Sequence, residues 1–301
     1  MMKKIFLFAF LLLGTKTFAQ TDTTSGGSLL DLLGEEEKPE KVTNAFKSPR
    51  VINTHSMEML PAGTLDFRIL HRFGLINGGY KELFGLDNAT MRIGFDYGVT
   101  KNLMVGVGRS TLKKELDGYA KYRILWQEKG GKSPMPISVI WVSGMTYNTL
   151  DNPISQPDVK ATFARRSAYY HQLVIGRKFN DHFSLQVAPT LVHTNLVENE
   201  VTPNNLWAME IGGRYKFSQR VAFVWDYSLA FNRFPGIMGY NPLSLGFDIE
   251  TGGHIFQLHF SNSNGLNERA FIADKSNKWG KGQIRFGFNL SRVFQVKKNK
   301  I

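Results

Sequence analysis

A histidine two residues ahead of a serine on a β-strand shares its face, so His259-Phe260-Ser261-Asn262 is the stretch most suited to nucleophilic chemistry, an imidazole activating a hydroxyl. Parity argues against a lipid-cleaving site there. Phe256, Leu258 and Phe260 take the apolar face, which turns His259 and Ser261 to the polar one, and ordinary hydrogen bonding is expected of them. The seven histidines (His55, His71, His171, His182, His193, His254, His259) form no helix-spaced pair. His254 and His259 fall on opposite strand faces, so a metal site would need distant strands to converge. Glu250 and His254 flank a turn and are read as turn structure. Val105-Gly106-Val107-Gly108 superficially resembles a phosphate loop, but no helical pattern follows it, and its glycines are read as small or strand-bending positions. The basic residues are dispersed over many segments, which excludes a nucleic-acid stripe. No catalytic residue, metal or cofactor is assigned.

The elements that must position these residues are strands. Val221, Phe223, Trp225, Tyr227, Leu229 and Phe231 alternate with Ala222, Val224, Asp226, Ser228 and Ala230, and Met91, Ile93, Phe95 and Tyr97 with Arg92, Gly94, Asp96 and Gly98. Successive strand side chains point to opposite faces, so each segment has one apolar face and one polar or small face. About twelve segments follow this rule: 63–73, 89–99, 103–110, 116–127, 136–147, 168–179, 183–194, 207–217, 221–231, 243–250, 254–262 and 282–294. Three-residue hairpin turns at Thr100–Asn102, Asn180–His182, Ser218–Arg220 and Thr251–Gly253 alternate with longer connections. Thr111–Glu115 and Glu128–Met135 break that alternation of lengths. Short turns at one end and long loops at the other are the habit of bacterial outer-membrane barrels.

Composition bounds the location. Cysteine is absent, which excludes disulfides, thiolate metal sites and a lipidated N-terminal cysteine. No run of eighteen apolar residues occurs, so no helical membrane span is expected. Met1-Met2-Lys3-Lys4, the apolar stretch Ile5–Leu13 and a polar exit with small Ala19 read as a secretory signal peptide. Its removal leaves 34 basic against 25 acidic residues, a net charge of +9. Residues 20–50 carry six acids against four bases, so Val51 onward holds 30 bases against 19 acids, or +11. The expected organisation is a leader at 1–19, a flexible periplasmic lead-in at 20–50, a barrel at 51–296 and a basic tail at 297–301.

Alternation alone does not say which face looks outward. Full charges occupy the polar face of most segments: Arg68, Arg72, Arg92, Asp96, Lys121, Arg123, Glu210, Arg214, Lys216, Asp226, Asp248 and Arg285. A large membrane barrel can turn such residues into its lumen while the apolar face meets lipid. Aromatics recur near segment ends (Phe73, Tyr97, Trp126, Tyr147, Trp207, Phe217, Phe231, Phe294), as interfacial girdles require. These features favour an all-β, up-and-down antiparallel transmembrane barrel over a soluble β-fold. The twelve charged residues become the candidate lumen lining.

Four blocks carry a family resemblance: THSMEMLPAGTLDFRILHRFG at Thr54–Gly74, GLDNATMRIGFDYGVTKNLMVGVGRS at Gly85–Ser110, FDIETGGHIFQLHFSNS at Phe247–Ser263 and IRFGFNLSRVF at Ile284–Phe294. Through them the chain, over roughly Phe46–Val296, resembles a domain-of-unknown-function family of outer-membrane β-barrels typical of Bacteroidetes envelopes. The resemblance implies location and class and supplies no functional residues. The His-x-Ser-Asn stretch is also similar to one in the outer-membrane phospholipase A family, whose motif continues directly into a glycine. Here Ser263 and Asn264 intervene before Gly265.

Two functions follow as expectations for a Gram-negative outer-membrane barrel with both termini periplasmic and lipid as its surroundings. In the first, the basic lumen admits small hydrophilic, anionic-leaning solutes. In the second, the arginines pair with Asp66, Asp96, Glu210, Asp226 and Asp248 and close the lumen, leaving a structural or docking barrel whose protein partner is unspecified. A barrel-borne lipid hydrolase is the minor third.

Overall fold

In the computed structural model, residues 38–150, 162–197, 201–233 and 239–297 are described. The expected leader and most of the lead-in lie outside them. Twelve antiparallel strands close into a barrel: β1 Thr64–Leu75, β2 Ala89–Gly98, β3 Leu103–Ser110, β4 Glu115–Leu125, β5 Ser138–Asn148 and β6 Ser167–Lys178, then β7 Phe183–Thr194, β8 Asn205–Lys216, β9 Val221–Ala230, β10 Leu243–Thr251, β11 His254–Ser261 and β12 Arg285–Gln295. Each strand pairs with its chain neighbours, and β12 pairs with β1 to remove both edges. Strands β5 and β6, over the expected segments 136–147 and 168–179, are full members.

Alternation becomes orientation. On β9, Ala222, Val224, Asp226, Ser228 and Ala230 are buried, and Phe223, Trp225, Tyr227 and Leu229 face out. Exposed Phe95, Val107, Trp141, Phe247, Leu258 and Phe260 continue that outer surface around the barrel. Its aromatics meet across strands, as in Phe67–Phe95 at 5.3 Å and Phe73–Phe286 at 5.8 Å between ring centroids. An apolar belt this extensive suits acyl chains and would aggregate in water. No helix among the described residues is long and apolar enough to cross a membrane; the strands are the spanning elements.

Three of the tight turns share one device. Thr100 Oγ1 accepts from the Asn102 and Leu103 N–H groups, Asn180 Oδ1 from His182 and Phe183, and Ser218 Oγ from Arg220 and Val221. Each side chain replaces a missing ladder partner at the strand end. The fourth turn is shorter than expected, since Thr251 pairs directly with His254 and leaves only Gly252 and Gly253, both at positive φ. Both exceptions to the length pattern stand: β3 and β4 are joined by a short loop-side connection, and β4 and β5 by a long turn-side one. The long one has a local reason. Its Glu128–Lys129 pairs with Glu40–Lys41, Gln127 O accepts from Val42 N–H at 2.8 Å, and Trp126 Nε1 donates to Val42 O at 2.7 Å. It receives the chain on its way into the barrel.

Candidate functional site: a lumen entered from both mouths

The first barrel strand, Thr64–Leu75, starts where the segment 63–73 was expected, and the chain ahead of it is not outside the barrel. Residues 45–60 run inside the cylinder: Ala45, Phe46, Val51, Ile52, His55, Ser56 and Met57 are all buried. The segment is a tight hairpin. Arg50 bridges His55, Ser56 N–H donates to Pro49 O, and Val51 N–H donates to Thr54 O. Its stem packs on wall residues Met104, Ile140, Val142, Val174, Ala188 and Val192. We call residues 45–60 the plug.

A hairpin with no sheet partner needs other groups for its peptide dipoles, and the wall supplies them. Asp226 Oδ2 accepts three successive plug N–H groups, from Ile52 at 3.3 Å, Asn53 at 2.6 Å and Thr54 at 3.2 Å. This nest is built around a carboxylate. Lys121 Nζ is its mirror image, donating to the carbonyls of Pro49, Ser56 and Glu58 at 3.1, 2.6 and 2.6 Å. Gln186 bonds both His55 O and Met57 N–H, Arg123 donates to Met57 O, Gln257 to Val51 O and Asn289 to Ile52 O. Arg68 reaches Ser48 Oγ at 2.8 Å and Arg72 reaches Asn53 Oδ1 at 2.6 Å. Hydrogen bonds to charged groups contribute about 1.5–3 kcal/mol each when buried, so the wall charges hold the plug as much as they line a space.

The opposite mouth contributes a helix. The connection after β11 folds inward as α2, Glu268–Ala273 (preceded in the chain by the single-turn α1, Phe163–Arg166), with Glu268, Ala270, Phe271 and Ile272 buried. Asn267 caps α2 by accepting from Ala270 N–H at 2.8 Å. Gly265 lets the chain pass under it, since a Cβ there would lie 2.2 Å from Phe271 N. Plug and helix meet at an ionic cluster. Arg50 Nη1 is 2.5 Å from Glu268 Oε1, and His55 Nε2 is 2.9 Å from the same oxygen. Burial opposes charge on both Arg50 and Glu268; their mutual attraction outweighs it, holding Arg50 well above its ordinary pKa and Glu268 well below the usual carboxylate range. Burial, assisted by Arg50 and Lys121 against the pull of Glu268, pushes the His55 imidazole down to about 4. A carboxylate can only accept, so the neutral ring carries its proton on Nε2.

The remaining candidate lining residues divide by depth. Arg92 forks onto Asp117, with Nε 2.8 Å from Oδ1 and Nη2 2.5 Å from Oδ2. Arg68 is 3.0 Å from Asp66 and 3.7 Å from Asp96. Gln257 donates to Asp248 at 2.7 Å, Glu210 is buried beside Thr54 and Gln172, and Arg214 is buried on the same wall. Lys216 and Arg285 sit half-buried at strand ends. Wall-to-wall pairing therefore involves Asp66, Asp96 and Asp117, whereas Arg72 and Asp226 engage the plug. The glycines of β3 make room for this: a Cβ on Gly108 would lie 2.3 Å from the Arg92 guanidinium, and one on Gly106 would lie 2.4 Å from the Tyr119 ring. His259 and Ser261 are buried on the inner face, as parity requires, where Ser261 Oγ accepts from Ser244 Oγ at 3.0 Å and Ser263 N–H at 3.2 Å. Among the described residues, no group of three or more potential ligands could hold a metal ion.

Arg50, Asn53, Thr54 and Glu268 were not singled out from sequence. The plug has no period to detect, and it straddles the expected boundary, with Ala45–Arg50 in the stretch read as a flexible lead-in and Val51–Leu60 in the expected barrel. Its one signal was the resemblance block that begins at Thr54, ten residues before the first strand.

A closed cylinder with an apolar exterior and a charged, filled interior defines a membrane β-barrel. The chain belongs to the family described as a membrane bound beta barrel domain (DUF5777), whose model matches residues 46–294. The match takes in the plug as well as the strands. Among solved structures, the chain is similar to the NanC porin (9% identity, TM-score 0.48, covering 78% of this chain and 100% of that one). It is also similar to the COG4313 outer membrane channel from Pseudomonas putida F1 (12%, 0.42, 79% and 98%) and to OmpF of Salmonella typhi in complex with daunomycin (8%, 0.35, 77% and 97%). A search of curated proteins finds no match.

Proposed function

We propose that this protein is an outer-membrane barrel closed at rest by its own N-terminal segment, with its termini on the periplasmic side, and that it acts as a docking barrel, not as a standing pore. The observation that carries this reading is the placement of residues 45–60 in the lumen with their backbone groups bonded to wall side chains from β4, β7, β9, β11 and β12, and their Ser48 and Asn53 side chains to arginines of β1. Spontaneous withdrawal would break these bonds together and strand several buried charges.

One feature favours a second reading, a channel that conducts after the plug is displaced. The plug enters and leaves by the same mouth, between Val42 bonded to Gln127 and Gly63 bonded to Gly98, so it can be withdrawn without threading. Conductance in planar bilayers separates the two states. The refolded parent is expected to be silent, and a variant lacking Thr43–Met59 to form stable channels with anion preference from the exposed arginines. Steady conductance by the parent would overturn closure at rest.

A further inference from the structure

We propose that the lumen wall is a receptor for short peptides, with the plug as its built-in occupant; this deepens the docking reading and rests on it in taking the plug as seated at rest. The wall grips the plug chiefly by its main chain. Asp226 of β9 accepts the N–H groups of Ile52, Asn53 and Thr54. Lys121 of β4, almost diametrically across the barrel, takes the carbonyls of Pro49, Ser56 and Glu58. Gln186 of β7 takes one group of each kind, His55 O at 2.6 Å and Met57 N–H at 2.9 Å. Arg123, Gln257 and Asn289 take the carbonyls of Met57, Val51 and Ile52. All six residues belong to strands, so the array is carried by the barrel and not by the plug.

Peptide N–H and C=O groups recur at every residue but proline, which lacks the N–H, so such an array reads backbone and not sequence. Main-chain bonds of this kind give affinity, and recesses for individual side chains give selectivity. The wall has two such recesses, both at glycines. A Cβ on Gly176 of β6 would strike the Met57 thioether, and one on Gly212 of β8 would lie 2.9 Å from Val51 Cγ2. The ligand class is therefore a peptide with apolar residues spaced as Val51 and Met57 are, and with free N–H groups between them. A sugar or an inorganic ion presents no such alternation of donors and acceptors. The plug is tethered on both sides, at Val42 and Gly63, and competes at an effective concentration on the order of millimolar. A free peptide gains the wall only when that seating is loosened.

Fluorescence anisotropy of labelled peptides with the full chain in zwitterionic nanodiscs tests this. Two variants loosen the plug from different partners and leave the six wall residues unchanged. Asn53→Pro removes the N–H nearest Asp226, and Glu268→Gln releases Arg50. In both, a peptide spanning residues 43–60 is expected to bind saturably, at least tenfold more tightly than to the parent. A peptide of alanine and serine that keeps only Val51 and Met57 should bind within tenfold of it. N-methylation at Ile52, Asn53 and Thr54 should weaken binding at least tenfold, and should cost little further once Asp226→Ala is added to the barrel. Saturable binding to neither variant, or equal affinity for methylated and unmethylated peptides, overturns the receptor. Loss of the alanine and serine peptide alone would show recognition of the plug's own side chains and overturn the wider peptide class. Binding is read without reference to conductance, so a conducting parent that binds only the unmethylated peptide would refute closure and leave the receptor standing.

Discussion

Arg50 and Glu268 lie 218 residues apart in sequence and 2.5 Å apart in space, each almost wholly excluded from solvent. One enters the barrel from the turn side and the other from the loop side. A fully desolvated pair of this kind stabilises little relative to well-packed apolar residues, yet losing one partner is severe because the other charge is left buried. The pair therefore acts less as glue than as a condition: plug and α2 are each tolerable in the lumen only when the other is present.

Replacing Glu268 with Gln should free the plug while leaving the strands intact. The stranded Arg50 guanidinium is expected to cost about 3–5 kcal/mol, which hydrogen exchange would read as a roughly hundredfold or greater acceleration at the amides of residues 51–56. Amides of β8 and β9 should be unaffected. The double variant R50M/E268L, with both charges removed, should recover much of the protection. Unchanged exchange in E268Q would show that the pair does not hold the plug.

Acid should loosen the plug by a route through His55. Seated, its imidazole titrates near 4, pushed there by burial and flanked by Arg50, Lys121, Glu268, Tyr119 and Tyr170; in water an imidazole titrates near 6.5. Between those values the displaced hairpin binds a proton that the seated one does not. Plug stability is therefore full above about pH 6.5 and falls as pH drops toward 4, by up to about 3 kcal/mol. Glu268 adds a further loss at lower pH, because its carboxylate is held well below its ordinary value and its stabilisation disappears as pH falls through that seated value. Exchange at residues 51–56, corrected for intrinsic rates, should accelerate between pH 7 and 4.5, and H55Q should flatten the dependence. A pH-independent parent would remove His55 from the seating equilibrium.

The barrel was legible because a strand writes its orientation locally. Val221–Ala230 declares an inner and an outer face within ten residues, and the turn residues Thr100, Asn180 and Ser218 mark where the chain reverses. The plug was not legible because its partners are remote. Nothing near Asn53 signals that Asp226, 173 residues away, will take its N–H, and nothing near Lys121 signals three carbonyls from Pro49–Glu58. Reading the wall charges as a set suggested a choice between an open lumen and arginines closed onto acids. The structure holds a third arrangement, in which several of those charges are spent on backbone groups of Pro49–Glu58, ahead of the first strand.

The outward direction of the apolar face has its own test at Leu258. It lies mid-strand on β11, paired with Phe247 on one side and Phe288 on the other, flanked along the strand by Phe256 and Phe260, and 40% exposed. At a water-facing position with that exposure, an arginine would change stability by no more than about 0.5 kcal/mol. At a lipid-facing position near the bilayer midplane it costs about 2–4 kcal/mol. Reversible urea unfolding from phospholipid vesicles should therefore place L258R at least 2 kcal/mol below the parent, with a smaller loss for the same change at Phe294, near the end of β12. A neutral L258R would mean that this face does not meet hydrocarbon, and the reading of the interior as lumen would fall with it.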